Sequence, residues 1–243
     1  LKLDVVSVKG GSHYVALNRP APALQLVSAF LKEQPYNTSA KVDTELKLPK
    51  FQYWPPLPPV KRTEADRVYS LPGLTYTPNF KQYSGYLKSK KGNYLHYWYM
   101  ESQGDPRNDP IVIWLNGGPG CSSLMGLLEE LGPFRPNPDG RTLFENVFSW
   151  NKAANLMFLE TPRGVGFSYQ NMTENPDTEW DDTKTAEETA DAIEDFFNIY
   201  KHLRSHRNEL YLTGESYAGI YIPMTTNVLI DRIQVWGVVL GDF

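Results

Sequence analysis

Cysteine is almost absent: the 243 residues carry one, Cys121. No disulfide can close within the chain, which excludes a cysteine-stapled miniature scaffold. No apolar run approaches the roughly 20 residues that a membrane-crossing helix needs; the densest, Ile111 to Leu115, is strand length. Basic charge has no surplus, with 24 Lys and Arg against 28 Asp and Glu for a net charge of −4. Without a positive field to displace counterions, nucleic acid is not an expected partner. Histidine is scarce too, with four residues and none after Ser216. His202 and His206 stand at i, i+4 with no third ligand and no HExxH spacing, so neither a metal nor a cofactor is expected. The chain begins at Leu1 with no initiator Met or signal peptide, and stops at Phe243 just after an apolar run. That pattern is expected of a fragment.

What is present suffices for a packed core: 41% of residues are hydrophobic and 13% aromatic, far from a disordered composition. Residues 1–34 read as one unit. Leu3 and Val5 to Val8 suggest a short strand, Gly10-Gly11-Ser12-His13 a turn, and Pro20 to Glu33 a helix with Leu24, Val27 and Leu31 on one stripe. Residues 35–66 include Trp54-Pro55-Pro56-Leu57-Pro58-Pro59, which suits an extended linker rather than a sheet or helix interior. From residue 67 to 243 strands and helices alternate.

Tyr83 to Lys88 and Tyr94 to Tyr99 flank a Lys-Lys-Gly-Asn turn and predict a hairpin. Ile111 to Leu115 and Leu156 to Leu159 are apolar on both faces, as in a covered parallel sheet. A helix is expected through Leu124, Leu127, Leu128 and Leu131. A longer one is expected over 183–206, with Thr185 and Glu188 at capping-box spacing. Leu210 to Thr213 predicts a strand, followed by a helix to about Gln234 and a strand starting at Val235. Such a junction leaves no connecting residues, where about 2 to 6 are usual, so a missing loop is expected there. The alternation predicts an α/β fold with a mostly parallel sheet and helices on both faces.

The sharpest chemical signal is Gly214-Glu215-Ser216-Tyr217-Ala218-Gly219 between a strand and a helix. A serine on such a turn is held clear of the sheet, open to both a base and a substrate. The alternative is that Ser216 merely caps the helix. Acyl transfer through serine also needs about two N–H donors for the oxyanion. One would come from Tyr217, the other from a glycine-rich loop after an earlier strand, and Asn116-Gly117-Gly118-Pro119-Gly120 is such a loop in the right order.

Three segments together carry a resemblance: Trp114-Leu115-Asn116-Gly117-Gly118-Pro119-Gly120-Cys121-Ser122-Ser123 with Glu130-Leu131-Gly132-Pro133; Thr161-Pro162-Arg163-Gly164-Val165-Gly166-Phe167-Ser168-Tyr169; and the segment around Ser216. With Leu71-Pro72-Gly73 and Tyr83-Ser84-Gly85-Tyr86 before them, they resemble the serine carboxypeptidase family over residues 66–243. The resemblance implies an incomplete α/β-hydrolase fold and proteolysis from peptide C-termini through an acyl-serine. Ser216 would be the nucleophile, Gly118 and Tyr217 the oxyanion donors, and Asn116, Glu130 and Glu215 the holders of the substrate's terminal carboxylate. Two adjacent carboxyls raise each other's proton affinity, so one stays protonated and donates to a third at mildly acidic pH. Cys121 pairs, in the family, with a distant cysteine that this chain lacks.

The departure is the rest of the triad. Beyond Ser216 the only acids of that type are Asp231 and Asp242, neither placed as a triad acid. Gly10-Gly11-Ser12-His13-Tyr14-Val15 with Arg19-Pro20 and the helix after it resembles the family's last segment, where the catalytic histidine lies. The simplest reading is tandem: residues 1–34 end one carboxypeptidase unit and His13 serves a different serine. The alternative is a circular permutation that brings His13 to Ser216. Peptide or protein C-termini are the implied partners, with no membrane and with homo-oligomerisation left open. The acceptor tripeptides at Asn37 and Asn171 suggest glycosylation and a secreted, lysosomal or vacuolar location. Two further readings stay open, a catalytically silent carboxypeptidase-like binding module and a carboxypeptidase-like acyltransferase.

Overall fold

The computed structural model describes residues 4–39, 61–204, 208–233 and 237–240. In chain order they form α1 (Val15–Asn18), α2 (Pro20–Leu31), α3 (Arg62–Ala65), β1 (Gln82–Ser89), β2 (Asn93–Met100), β3 (Ile111–Leu115), β4 (Phe134–Pro136), β5 (Leu143–Glu145), β6 (Asn155–Leu159), β7 (Tyr169–Gln170), α4 (Asp182–Ile199), β8 (Leu210–Gly214), α5 (Ala218–Leu229) and β9 (Gly237–Leu240). The main sheet runs β1-β2-β6-β3-β8-β9, with β7 added beside β2, and β4 pairs with β5 in a separate ribbon. Strands β6, β3, β8 and β9 are parallel, whereas β1, β2 and β7 pair antiparallel.

The two-residue side-chain period divides β3 between two cores. Ile111, Ile113 and Leu115 face one side, packed with Ile193, Phe196 and Phe197 of α4 and Tyr221 and Ile222 of α5. Val112 and Trp114 face the other, with Leu24, Val27 and Leu31 of α2 and with Leu127, Leu131, Phe134 and Trp150. All five β3 side chains are buried, so the apolar run without alternation follows from helices on both faces. Covering of the second face falls to α2, from the N-terminal unit: Val27 is 1% exposed, and the Phe30 ring lies 5.8 Å edge-on from Tyr211 of β8.

Several local expectations are corrected. Residues 4–8 form no strand, and Val5 is 91% exposed. Leu3 lies outside the described residues, as do Trp54 to Pro59, His206 and Asp242. The helix expected through Leu131 is a short π-turn over Gly126–Glu130. The long helix starts at Asp182 and stops at Ile199, and its cap is Asp181, whose side chain accepts from the Lys184 amide. Thr185 instead donates to the Asp181 carbonyl and Glu188 pairs with Arg163, so they do not form a capping box. The helix α5 ends at Leu229 rather than near Gln234, and β9 begins at Gly237 rather than at Val235. Residues 234–236 themselves lie outside the described set.

Candidate active site

The carboxyl ends of the parallel strands β3 and β8 bring the two glycine-bearing loops together. Gly214 closes β8 at a point where a Cβ would lie 2.3 Å from the Leu115 carbonyl oxygen and 2.6 Å from the Ala218 Cβ. The crossing therefore accepts only glycine at 214 and a small residue at 218, which explains why Ala serves there. Between them Ser216 takes φ +56°, a left-handed conformation that non-glycine residues rarely adopt. The helix cap reading is excluded: Tyr217 occupies the cap position of α5 and no side chain caps it. The Ser216 hydroxyl is half-buried and makes no hydrogen bond among the described residues.

The Asn116–Gly120 loop lies flush against this turn. A Cβ on Gly117 would sit 2.5 Å from the Tyr217 amide nitrogen and 2.9 Å from the Ser216 Cβ. Gly118 has φ +112° and leads into a cis bond to Pro119. Neither the Gly118 nor the Tyr217 amide donates to another described residue, so both N–H groups remain unspent. Stabilising an oxyanion would take about two such uncommitted amides aimed at one point.

Next to them is a buried acid pair. Asn116, Glu130 and Glu215 are respectively 2%, 3% and 5% exposed. The Asn116 Nδ2 donates to Glu130 Oε1 at 3.0 Å and to Glu215 Oε1 at 3.1 Å. Its orientation is fixed from the other end, where Asn116 Oδ1 accepts from Trp114 Nε1 at 2.9 Å and from the Gly126 amide at 3.1 Å. The π-turn accounts for this last contact: Gly126 approaches so closely that a Cβ would stand 2.3 Å from Trp114 Nε1. Glu130 Oε2 is buried and accepts from no described donor. Burial first and the Glu130 charge second push Glu215 up to about 8, and burial likewise raises Glu130, partly offset by the Asn116 amide. The pair thus keeps at least one proton through the acidic and neutral range.

A second buried network braces the same loops. Glu160, just after β6, accepts from His96 Nδ1 at 2.9 Å, from Ser122 Oγ and from the Phe167 amide at 2.9 Å. Burial would raise this carboxyl, but those donors outweigh it and hold it low. His96 Nε2 pairs with Ser84 Oγ at 2.9 Å, so this imidazole is committed on both nitrogens. Sequence reasoning missed Trp114, Gly126, Glu160 and His96 as supports of the site; Glu160 and His96 meet partners far away in the chain, and no periodicity marks Trp114 or Gly126 as partners of Asn116.

The remaining expected site residues lie elsewhere. His13 is exposed, in the turn before α1, with its ring against Tyr14 and no hydrogen bond to Ser216. Asn37 is exposed in a turn. Asn171 is half-buried; its Nδ2 donates to Glu174 Oε1 at 2.7 Å and its Oδ1 accepts from the Thr173 amide. Cys121 is an unpaired, half-buried thiol beside the loop. Among the described residues no three His, Cys, Asp or Glu converge as a metal site, and no helix is long and apolar enough to cross a membrane.

A sequence profile described as serine carboxypeptidase matches residues 72–237. This chain belongs to the serine carboxypeptidase family. The lysosomal protective protein of Mus musculus is 51% identical over 182 residues, which cover 74% of this chain and 37% of that protein. A vacuolar serine-type carboxypeptidase of Saccharomyces cerevisiae is 40% identical over 221 residues, covering 84% of this chain and 42% of its own length. Among solved structures, the prohormone-processing carboxypeptidase Kex1 of Saccharomyces cerevisiae aligns with a TM-score of 0.64 at 29% identity, over 74% of this chain and 44% of that one. The α/β-hydrolase fold is thereby shown, in partial form. This serine carboxypeptidase chain spans less than half the length of these curated relatives.

Proposed function

We propose that this chain supplies the nucleophile, the oxyanion hole and the terminal-carboxylate site of a serine carboxypeptidase. Ser216 attacks the last peptide carbonyl, the Gly118 and Tyr217 amides take the developing oxyanion, and Asn116 with the Glu130–Glu215 pair holds the substrate's free carboxylate. Serine attack forms the acyl-enzyme and releases the C-terminal residue, and water then frees the shortened peptide. The observation that carries this reading is the buried Asn116–Glu130–Glu215 cluster set beside an unspent serine hydroxyl. A protonated acid pair donates to a carboxylate, whereas an ionised one repels it. A free C-terminus, not an internal peptide bond, is the ligand this chemistry selects.

His13 belongs, in this proposal, to a preceding carboxypeptidase unit that residues 1–34 end, with 35–66 as the linker and 67–243 as the first part of the next unit. A lysosomal, vacuolar or secreted location accords with the relatives' names and with the acceptor sites at Asn37 and Asn171. The test uses the protein at its full encoded length and two peptides differing only in a free or amidated C-terminus. Release of the last residue from the free peptide alone, lost in Ser216→Ala and kept in His13→Ala, is expected. Cleavage that survives Ser216→Ala overturns the nucleophile. Absence of any cleavage, with C-terminal peptides still bound, establishes the silent binding module instead, a reading favoured by the lack of a histidine hydrogen-bonded to Ser216 among the described residues.

A further inference from the structure

The residue after the nucleophile is held at both ends of its side chain. Tyr217 packs its ring edge-on against Tyr221, centroids 5.2 Å apart, and its hydroxyl donates to Asp182 at 3.0 Å from Oδ2 and 3.2 Å from Oδ1. Asp182 is the first residue of α4, the 18-residue helix that covers the sheet beside α5. It is not the cap, since Asp181 takes that role, and among the described residues no ion pair joins it to a cation. Among the described residues, the side chain it bonds is Tyr217, 35 residues downstream.

Tyr217 carries one of the two unspent amides, on a turn whose preceding residue stands at φ +56°. A strained turn with no internal hydrogen bond on that amide needs an external fixture to keep the N–H aimed. Gly117 fixes one side by contact with the Tyr217 nitrogen. We propose that Asp182 is a positioning residue for catalysis: it anchors the Tyr217 phenol to the start of α4 and thereby fixes the Tyr217 amide in the oxyanion hole. Tyr217 then acts through its backbone while its side chain serves as the strut. This inference rests on the proposed roles of Ser216 and Tyr217.

The experiment measures kcat and KM on the full-length protein for Tyr217→Phe, Asp182→Ala, Asp182→Asn and the double variant, with Ser216→Ala alongside. Tyr217→Phe removes one hydroxyl and leaves both helices intact, so it isolates the anchor from any folding effect. Tyr217→Phe and Asp182→Ala should each lower kcat roughly ten- to a hundredfold with KM nearly unchanged, since misplacement acts on the transition state. The double variant should be no worse than either single one, and Asp182→Asn, which still accepts from the phenol, should recover most of kcat. A wild-type kcat in Tyr217→Phe, or losses that multiply in the double variant, overturns the strut. Activity surviving in Ser216→Ala would instead signal that the underlying site reading has failed.

Discussion

Glu215 and Glu130 share one amide: Asn116 Nδ2 lies 3.1 Å from an oxygen of the first and 3.0 Å from an oxygen of the second. Two carboxyls so placed cannot both ionise at low cost, and burial pushes Glu215 up to about 8. The native state therefore holds a proton that an unfolded glutamate releases near its ordinary value of about 4.3. Between those values the native state binds more protons than the unfolded chain, so stability falls as pH rises. The melting temperature should drop progressively from about pH 4.5 to about pH 8. Glu215→Gln should flatten that slope. An unchanged slope in Glu215→Gln would show that the pair does not share a proton.

The same pair sets substrate affinity. With a proton present, the site offers a donor to a C-terminal carboxylate; as pH rises past the Glu215 value, two negative charges face a third. KM for a peptide with a free C-terminus should accordingly rise with pH between about 6 and 9 in pH-dependent kinetics. A KM that is flat, or that falls with increasing pH, would separate the acid pair from substrate binding.

Gly117 is required by space alone. A methyl at this position meets the Tyr217 nitrogen at 2.5 Å and the Glu215 carbonyl oxygen at 2.8 Å, both backbone atoms that cannot swing aside. Gly117→Ala should cost about 1 to 3 kcal/mol of stability through overpacking and lose activity out of proportion to that. Thermal melts and single-turnover rates measure the two effects. A variant with full activity would mean that the loops are not in contact.

Much of this arrangement was legible in the sequence, because the features that form it are local. Residues 111–115 are apolar without alternation, and the structure buries all five. The turn around Ser216 and the Asn116–Gly120 loop were readable from glycine placement, since Gly117, Gly118 and Gly214 answer to close backbone approaches. What escaped notice depends on distant contacts. The capping spacing of Thr185 and Glu188 suggested a helix start, yet the Arg163 guanidinium draws Glu188 inward and Asp181 caps instead. The π-turn at Gly126–Glu130 owes its form to Trp114 and Asn116, which no periodicity of residues 124–131 reveals. The place of α2 was likewise invisible, because an apolar stripe states that a face is buried without stating against what.

That placement gives its own prediction. Leu24 is 2% exposed and packs in the core that includes Val112 and Trp114. Leu24→Ala should destabilise the whole fold by about 2 to 5 kcal/mol, seen as one cooperative transition moved to lower denaturant. A variant that loses helix signal without shifting the main transition would show α2 to be separable from the sheet.

The most direct measurement is a crystal structure of the full-length protein soaked with a peptide boronic acid, whose tetrahedral adduct mimics the acyl-transfer intermediate. The boron should bond to Ser216 Oγ, with one boron oxygen about 3 Å from both the Gly118 and Tyr217 nitrogens and the ligand's carboxylate beside Asn116. A boron bonded to a different residue, or an adduct oxygen facing away from those two amides, would contradict it.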